Sequence, residues 1–300
     1  MFMNLFAGQN TIKLKTSMEV KIEKKLVKPM GKYLPVVIPF TALLFIYLPA
    51  LYDLLVNWYT DPNYSHGFLV PIVCGVLLWK KRDKLITAHQ TTDSRGLILC
   101  VAGLALFIIA NGAAEYFCLR FSFVLTLSGL TWYLFGREVI KLSGFAFFFL
   151  VFMIPIPYVI YYALTFPMQT LVTKVTIYAL NFIGMGAIRQ GNIIHISGHS
   201  LEVAEACSGI RSLVSLLALG AIYAYITQRR FIAQLILFLS TVPIAVISNV
   251  FRVFITSLLV YTVTNKITEE PLHSIMGLSV FVSAFVMLFV FGFILRKIFR

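Results

Sequence analysis

Eight apolar runs limit the fold of this 300-residue sequence more than any other feature. All but the short second run come close to the ~20 residues that an α-helix needs to cross the hydrocarbon core of a bilayer. A backbone inside lipid must satisfy its own hydrogen bonds, so such runs predict membrane-spanning helices. They cover residues 34–57, 66–79, 96–114, 120–136, 142–160, 207–227, 231–263 and 273–295. The sequence predicts an all-α polytopic membrane protein with about eight spans, in which residues 34–300 form one transmembrane domain.

The composition agrees with a membrane protein. Hydrophobic residues make up 59% of the chain and charged residues 12%, against roughly 45–50% and about 25% in soluble domains. The net charge of +13 lies in clusters between the apolar runs, which is typical of contact with lipid headgroups and gives no reason to expect nucleic acid. The four cysteines form no CxxC pair, so neither a disulfide framework nor a metal site is predicted.

The basic clusters predict the orientation, because Lys and Arg collect on the cytoplasmic side of a membrane. Residues 1–33 carry seven lysines and lack the apolar core of a signal peptide, so we expect a cytosolic basic tail. The other clusters are Lys80, Lys81, Arg82, Lys84 and Arg95; Arg137 and Lys141; Arg229 and Arg230; and Arg296, Lys297 and Arg300. With both termini in the cytosol, 19 of the 25 basic residues lie inside.

Two segments depart from the pattern of spans. The stretch from Pro155 to Gly186 carries polar residues near helical spacing, which predicts an amphipathic helix in the outer interface or a re-entrant element. The next stretch has rough alternation of apolar residues between glycines, which predicts a small extracytoplasmic β-hairpin. The alternating residues are Ile193, Ile194, Ile196, Leu201 and Val203, with Gly191 and Gly198.

Polar residues inside the apolar segments are the candidates for function. Arg211 and Arg252 lie within predicted spans, and a charge there costs a few kcal/mol unless it snorkels, pairs or faces a polar cavity. Arg211 follows Cys207 by four residues, and Asn249 precedes Arg252 by one turn. In the eight-span model these residues and His273 come to the same outer face of the membrane.

This set of side chains is typical of a cysteine nucleophile with helpers. A helix N-terminus and nearby cations lower the pKa of a thiol from about 8.5, which favours the reactive thiolate of Cys207. His273 could take the thiol proton and return it to a leaving amine. Arg252 could stabilise a developing oxyanion, and Gly209 would let a substrate backbone approach.

Other interpretations remain open at this point. Taken singly, each cysteine could be structural, each arginine a snorkelling anchor, and Asn249 a helix-packing hydrogen bonder. The main rival function is a transporter or export component for polysaccharide or lipid-linked sugar, with the cations binding an anionic substrate. A structural subunit of a secretion assembly is a third possibility.

Six stretches, in order, resemble the exosortase/archaeosortase family in its bacterial exosortase branch. They are "YSHGFLVPIV" at 64–73, "MIPIPY" at 153–158, "RQGN" at 189–192, "VAEACSGIRSL" at 203–213, "VPIAVISNVFRV" at 242–253 and "HSIMG" at 273–277. Position 190 is Gln where Glu is more usual in the family. The resemblance implies a multi-pass enzyme in the bacterial cytoplasmic membrane with its site facing the periplasm or exterior.

The resemblance also implies a reaction and its residues. The family's catalytic cysteine, arginine and variable third residue match Cys207, Arg252 and His273, and no cofactor or metal is implied. Supporting or substrate-binding positions are Arg211, Gly209, Ser208, Asn249, Glu205 and His66. The implied substrates are membrane-anchored proteins with a C-terminal signal of a Pro-Glu-Pro type motif, a transmembrane helix and a basic cluster. The cysteine would cut at the motif and hand the acyl group to an acceptor that the sequence does not identify. A link to extracellular polysaccharide production is expected by the same resemblance.

Overall fold

The computed structural model describes residues 34–196, 198–203, 210–262 and 272–299. The predicted cytosolic tail at residues 1–33 lies outside the described residues. The helices are α1 Leu34–Thr60, α2 Leu69–Lys80, α3 Arg82–Thr87, α4 Ser94–Gly112, α5 Tyr116–Leu150, α6 Tyr158–Phe182, α7 Ile210–Thr227, α8 Phe231–Thr262 and α9 Leu272–Ile298. Short 3-10 helices at Ser65–Phe68 and Val151–Met153 precede α2 and follow α5.

Every predicted apolar run contains a helix, but fewer of these helices qualify as full spans. In the described part of the chain, α1, α4, α8 and the Val280–Ile298 part of α9 are long and apolar enough to cross a membrane. A fifth candidate is a bent pair, in which α5 with its 3-10 extension meets α6 at 79°. The helix Ser65–Lys80 and the Leu213–Thr227 part of α7 are apolar but shorter. The count of about eight spans therefore stays a prediction. Among the described residues, the structure supports four to five candidate spans.

The chain divides into two compact units, and the first comprises the described residues up to Tyr52 together with Asp83–Gly144. In this unit α4 packs closely on α5 through glycines. A Cβ atom at Gly96 or Gly129 would overlap the backbone of the facing helix, at Tyr133 and Cys100 respectively. α5 breaks at Gly136, whose φ of 84° favours glycine. This break falls in the turn that the sequence predicts between the runs at 120–136 and 142–160.

The second unit comprises Asp53–Arg82 and Phe145–Arg300, and its centre is a three-helix bundle of α7, α8 and α9. A buried cluster of aliphatic residues from all three helices holds the bundle together. The Gln228 amide donates to the Gly292 carbonyl at 2.9 Å, which ties the end of α7 to α9. This bundle carries the segments that the sequence singles out for function.

A small antiparallel sheet completes the second unit. Its strands β1 (Ile188–Gln190), β2 (Ile193–Ile196) and β3 (His199–Glu202) lie in the order β1-β2-β3. The predicted hairpin is therefore present with one additional strand, because β1 pairs with β2 as well. Ile194 and Ile196 are buried in a cluster with residues of α6 and α8. The sheet lies with this apolar face on the helices.

Candidate functional site

The hairpin of α7 and α8 brings the start of α7 level with Arg252. Only residues 228–230 separate the two helices, and a Cβ at Gly220 of α7 would overlap the Thr241 hydroxyl of α8. Ile210 lies ten residues before Gly220 and Arg252 lies eleven after Thr241, so both lie about 15–17 Å from this crossing along the helix axes. The first turn of α7 and Arg252 thus share one end of the hairpin.

A second contact brings the chain that precedes α7 to the same place. Val203, which is 1% exposed, belongs to the same buried cluster as Val253, which is 3% exposed. Val253 is the neighbour of Arg252 in α8. The segment 204–209 therefore starts, at Val203, from the buried cluster that contains the neighbour of Arg252, and it leads into α7 at Ile210.

The predicted nucleophile lies in this segment. Cys207 follows Val203 by four residues and precedes Ile210 by three. It lies outside the described residues, as do Glu205, Ser208 and Gly209. The chain on either side of Cys207 is thus anchored at the end of the hairpin that carries Arg252.

Arg252 and Asn249 stand three residues apart in α8, so they share a face of the helix. Asn249 is fully buried, whereas Arg252 is partly exposed. Arg211 is the second residue of α7, and its side chain lies outside what the structure describes. The backbone places Arg211 within a turn of the level of Arg252.

His273 is the second residue of α9. Tyr223 and Gln228 of α7 bond to carbonyls of α9 at Phe289 and Gly292, and the Ser248 hydroxyl of α8 contacts Met287 at 3.6 Å. These contacts make α9 antiparallel to α8. The start of α9, with His273, therefore lies toward the same end of the bundle as Arg252. The predicted meeting of His273 and Arg252 stays a prediction, because the side chain of His273 lies outside what the structure describes.

The loop that carries His66 is fixed by two of the motifs in the sequence. Tyr64 is buried, and its hydroxyl donates to the Ile156 carbonyl at 3.5 Å. Burial raises the pKa of Tyr64 to about 12, so it is a neutral donor at physiological pH. Trp58 donates to the Met153 carbonyl at 2.8 Å and covers Gly67, where any Cβ would overlap the indole. The stretches "YSHG" and "MIPIP" therefore hold each other in place.

His66 points to α7 and meets a residue that the sequence analysis missed. Its Nδ1 lies 3.3 Å from the Ser215 hydroxyl. Both line a cavity of about 230 Å³ whose other walls are apolar and include Leu69, Phe149 and Phe281. Ser215 follows Arg211 by four residues and Cys207 by eight, a helical spacing that could have revealed it.

These features define a class of protein: a polytopic membrane protein whose helix bundle carries a small sheet and a polar site at one end. A family model described as Transmembrane exosortase (Exosortase_EpsH) matches residues 58–290. The chain belongs to the transmembrane exosortase family, which confirms the resemblance noted in the sequence. No curated protein and no solved structure gives a significant match to the chain.

Proposed function

We propose that this protein is a membrane-embedded cysteine transpeptidase or endopeptidase. Its substrates are anchored proteins with a C-terminal sorting signal, in which a Pro-Glu-Pro type motif precedes a transmembrane helix and a basic cluster. One observation carries the proposal: the segment that holds Cys207 lies between Val203, which shares a buried cluster with Val253, and Ile210, which is level with Arg252. Membership of the exosortase family supports the same reaction class.

The reaction proceeds in two acyl-transfer steps. The Cys207 thiol loses its proton to a base, and the thiolate attacks the carbonyl carbon of the scissile peptide bond. The tetrahedral intermediate collapses as the C–N bond breaks, and the released amine takes up the proton. The resulting thioester is then attacked by water or by an acceptor nucleophile, which frees the thiolate.

Arg252 stabilises the oxyanion of each tetrahedral intermediate, since a guanidinium keeps its charge at any physiological pH. Arg211 supports the thiolate from the first turn of α7, where the helix dipole also favours negative charge. His273 is the proposed base. Asn249 and His66 hold positions around the substrate.

We place the site at the outer face of the bacterial cytoplasmic membrane, with both termini in the cytosol. The distribution of basic residues supports this orientation. The 79° bend between α5 and α6 supports an interfacial or re-entrant α6, because a helix that turns this sharply leaves the direction of a span. The substrate's own anchor then presents its motif at the level of the site.

The test is processing of a co-expressed reporter that carries a Pro-Glu-Pro motif, an apolar helix of about 20 residues and an arginine cluster. Wild type should shorten the reporter, and C207A, R252A and H273A should leave it at full length. C100A, which changes a half-buried thiol of α4, is the matched control and should behave as wild type. A wild-type enzyme incubated with the reporter should also carry a hydroxylamine-labile adduct. Full processing by C207A contradicts the cysteine mechanism, whereas a full-length reporter with wild type favours the transporter alternative.

A further inference from the structure

The outer edge of β3 is an interaction surface that the proposed reaction does not yet use. Within the described residues, β3 pairs with β2 and with no other strand. Ser200 and Glu202 on this strand are exposed. Edge strands of this kind bind extended peptides by adding them as a further strand.

The register shows which backbone groups the edge presents. The Val203 amide donates to the Asn192 carbonyl at 2.9 Å, and Ile194 pairs with Leu201 and Ile196 with His199. Because N–H and C=O of one residue point to the same side of a strand and alternate between neighbours, these residues of β3 bond to β2. Ser200 and Glu202 therefore direct their N–H and C=O groups outward.

The edge leads directly to the predicted nucleophile. Glu202 precedes Cys207 by five residues, so an extended chain places the edge no more than about 17 Å from the cysteine. A substrate strand on β3 would therefore lie within reach of the cysteine. We propose that the edge of β3 binds the sorting motif as an additional antiparallel strand; this rests on the function proposed above.

The Pro-Glu-Pro motif has a backbone that can pair with the edge of β3. Proline has no N–H and is tolerated in strands only where the N–H would point away from the neighbour. In Pro-Glu-Pro the two prolines are separated by one residue, so both can point away from β3 while the glutamate directs its N–H and C=O to it. A Pro-x-Pro sequence can thus pair with an edge through its central residue without losing a hydrogen bond.

Charge and polarity select the register. The side chains of Gln190, His195 and Ser200 form a polar row across the three strands, with His195 bonded to Ser200 at 2.8 Å and to Gln190 at 3.1 Å. A motif glutamate opposite Ser200 continues this row, and its prolines lie on the apolar face beside Leu201. The alternative register puts the glutamate opposite Glu202, where like charges repel. The motif glutamate therefore pairs with Ser200.

The experiment removes a backbone donor from the edge and leaves the ladder to β2 intact. S200P deletes the outward N–H, and S200A deletes only the hydroxyl. With a synthetic peptide of motif, apolar helix and arginine cluster, S200P should raise KM about three- to tenfold above S200A. R189P, compared with R189A, makes the equivalent change at the outward edge of β1 and should leave KM unchanged. A peptide with N-methylglutamate in the motif loses the donor to the Ser200 carbonyl, so its KM with wild type should rise by a similar factor.

Two results would overturn the proposal: equal KM values for S200P and S200A, with unchanged melting temperatures, or equal KM values for the methylated and unmethylated peptides. The proposed reaction is judged separately by C207A. If C207A cleaves the peptide like wild type, the reaction is wrong, and the edge is then judged by peptide binding to C207A and to S200P/C207A. Weaker binding to the double variant supports the edge, whereas equal or absent binding rejects it.

Discussion

The two compact units of this protein use their polar side chains in different ways. In the first unit, polar groups inside the apolar helices bond to one another. Tyr47 is fully buried, and its hydroxyl lies 2.9 Å from Ser122 and 3.1 Å from Thr126. Arg120 is 7% exposed and lies over the Tyr116 ring. These contacts pack the helices of that unit against one another.

In the second unit, Arg252 and Asn249 lie at one end of a helix hairpin, and other polar groups line a cavity. Arg252 is partly exposed, and His66 and Ser215 line an otherwise apolar cavity. All six stretches that resemble the exosortase family lie in this unit. The difference teaches that the type of an intramembrane polar residue does not reveal its role without its surroundings. Similar residue types stabilise helix packing in the first unit and form a candidate site in the second.

The largest expected effect comes from replacing one arginine of each unit by lysine. These are Arg252 of the second unit, which is partly exposed, and Arg120 of the first unit, which is buried. R252K should lower the rate of reporter processing about 10²- to 10³-fold, because a lysine cannot reproduce the planar guanidinium donors that hold an oxyanion. R120K should leave the rate within about threefold and lower the melting temperature instead. Initial rates of reporter processing and melting temperatures of the purified variants measure the two effects. Similar loss of rate in both variants would break the distinction between the units.

A smaller effect is expected from glycines of α5. G129A should destabilise the protein by about 1–3 kcal/mol, because the new methyl meets the backbone of Cys100 and the helices must separate. G144A adds a methyl where the structure has open space and should be neutral or stabilising by up to about 1 kcal/mol. Denaturant or thermal unfolding in detergent measures both. Equal stabilities would show that the close packing of α4 on α5 is not required.

The hydroxyl cluster of the first unit tests its structural character. Y47F should cost about 1 kcal/mol of stability, since Ser122 and Thr126 keep their bonds to helix carbonyls. The rate of processing should not change. Y52F removes the hydroxyl of an exposed tyrosine of the same helix and should alter neither quantity. A lower rate for Y47F at unchanged stability would assign a functional role to this cluster.

The smallest effect concerns the contact of His66 with Ser215. S215A should reduce processing about threefold through a rise in KM, as expected for loss of one hydrogen bond that orients the imidazole. S240A removes a hydroxyl that donates to Leu237 of its own helix, and its kinetics should match wild type. If S215A lowers only the melting temperature, the cavity belongs to the scaffold.

Much of the fold follows from the sequence, because a helix that crosses a bilayer needs about 20 predominantly apolar residues in a row. The predicted runs at 34–57 and 231–263 correspond to helices Leu34–Thr60 and Phe231–Thr262. The turn after the run at 120–136 is present as the break at Gly136. The strand β1 was missed because its Ile188, Arg189 and Gln190 are all exposed, so no burial pattern marks it.

The candidate site was predictable only in part. Motif order identified Cys207, Arg252 and His273, and the family match confirms the resemblance behind them. Spacing along the chain does not say how far apart two helices place their residues. The level of His273 relative to Arg252 depends on how α9 packs against α7 and α8, which no local pattern encodes.

By itself, the sequence indicated that this chain enters a membrane and where most of its helices lie, and it predicted which residues carry its reactive groups. The length of an apolar run and the charges beside it are local features, so each segment of the sequence can be interpreted on its own. Only the tertiary structure decided that Val203 and Val253 share a buried cluster, that His66 meets Ser215, and that Tyr64 bonds to Ile156. These contacts depend on how side chains of distant segments fit together, which is a property of the packed molecule.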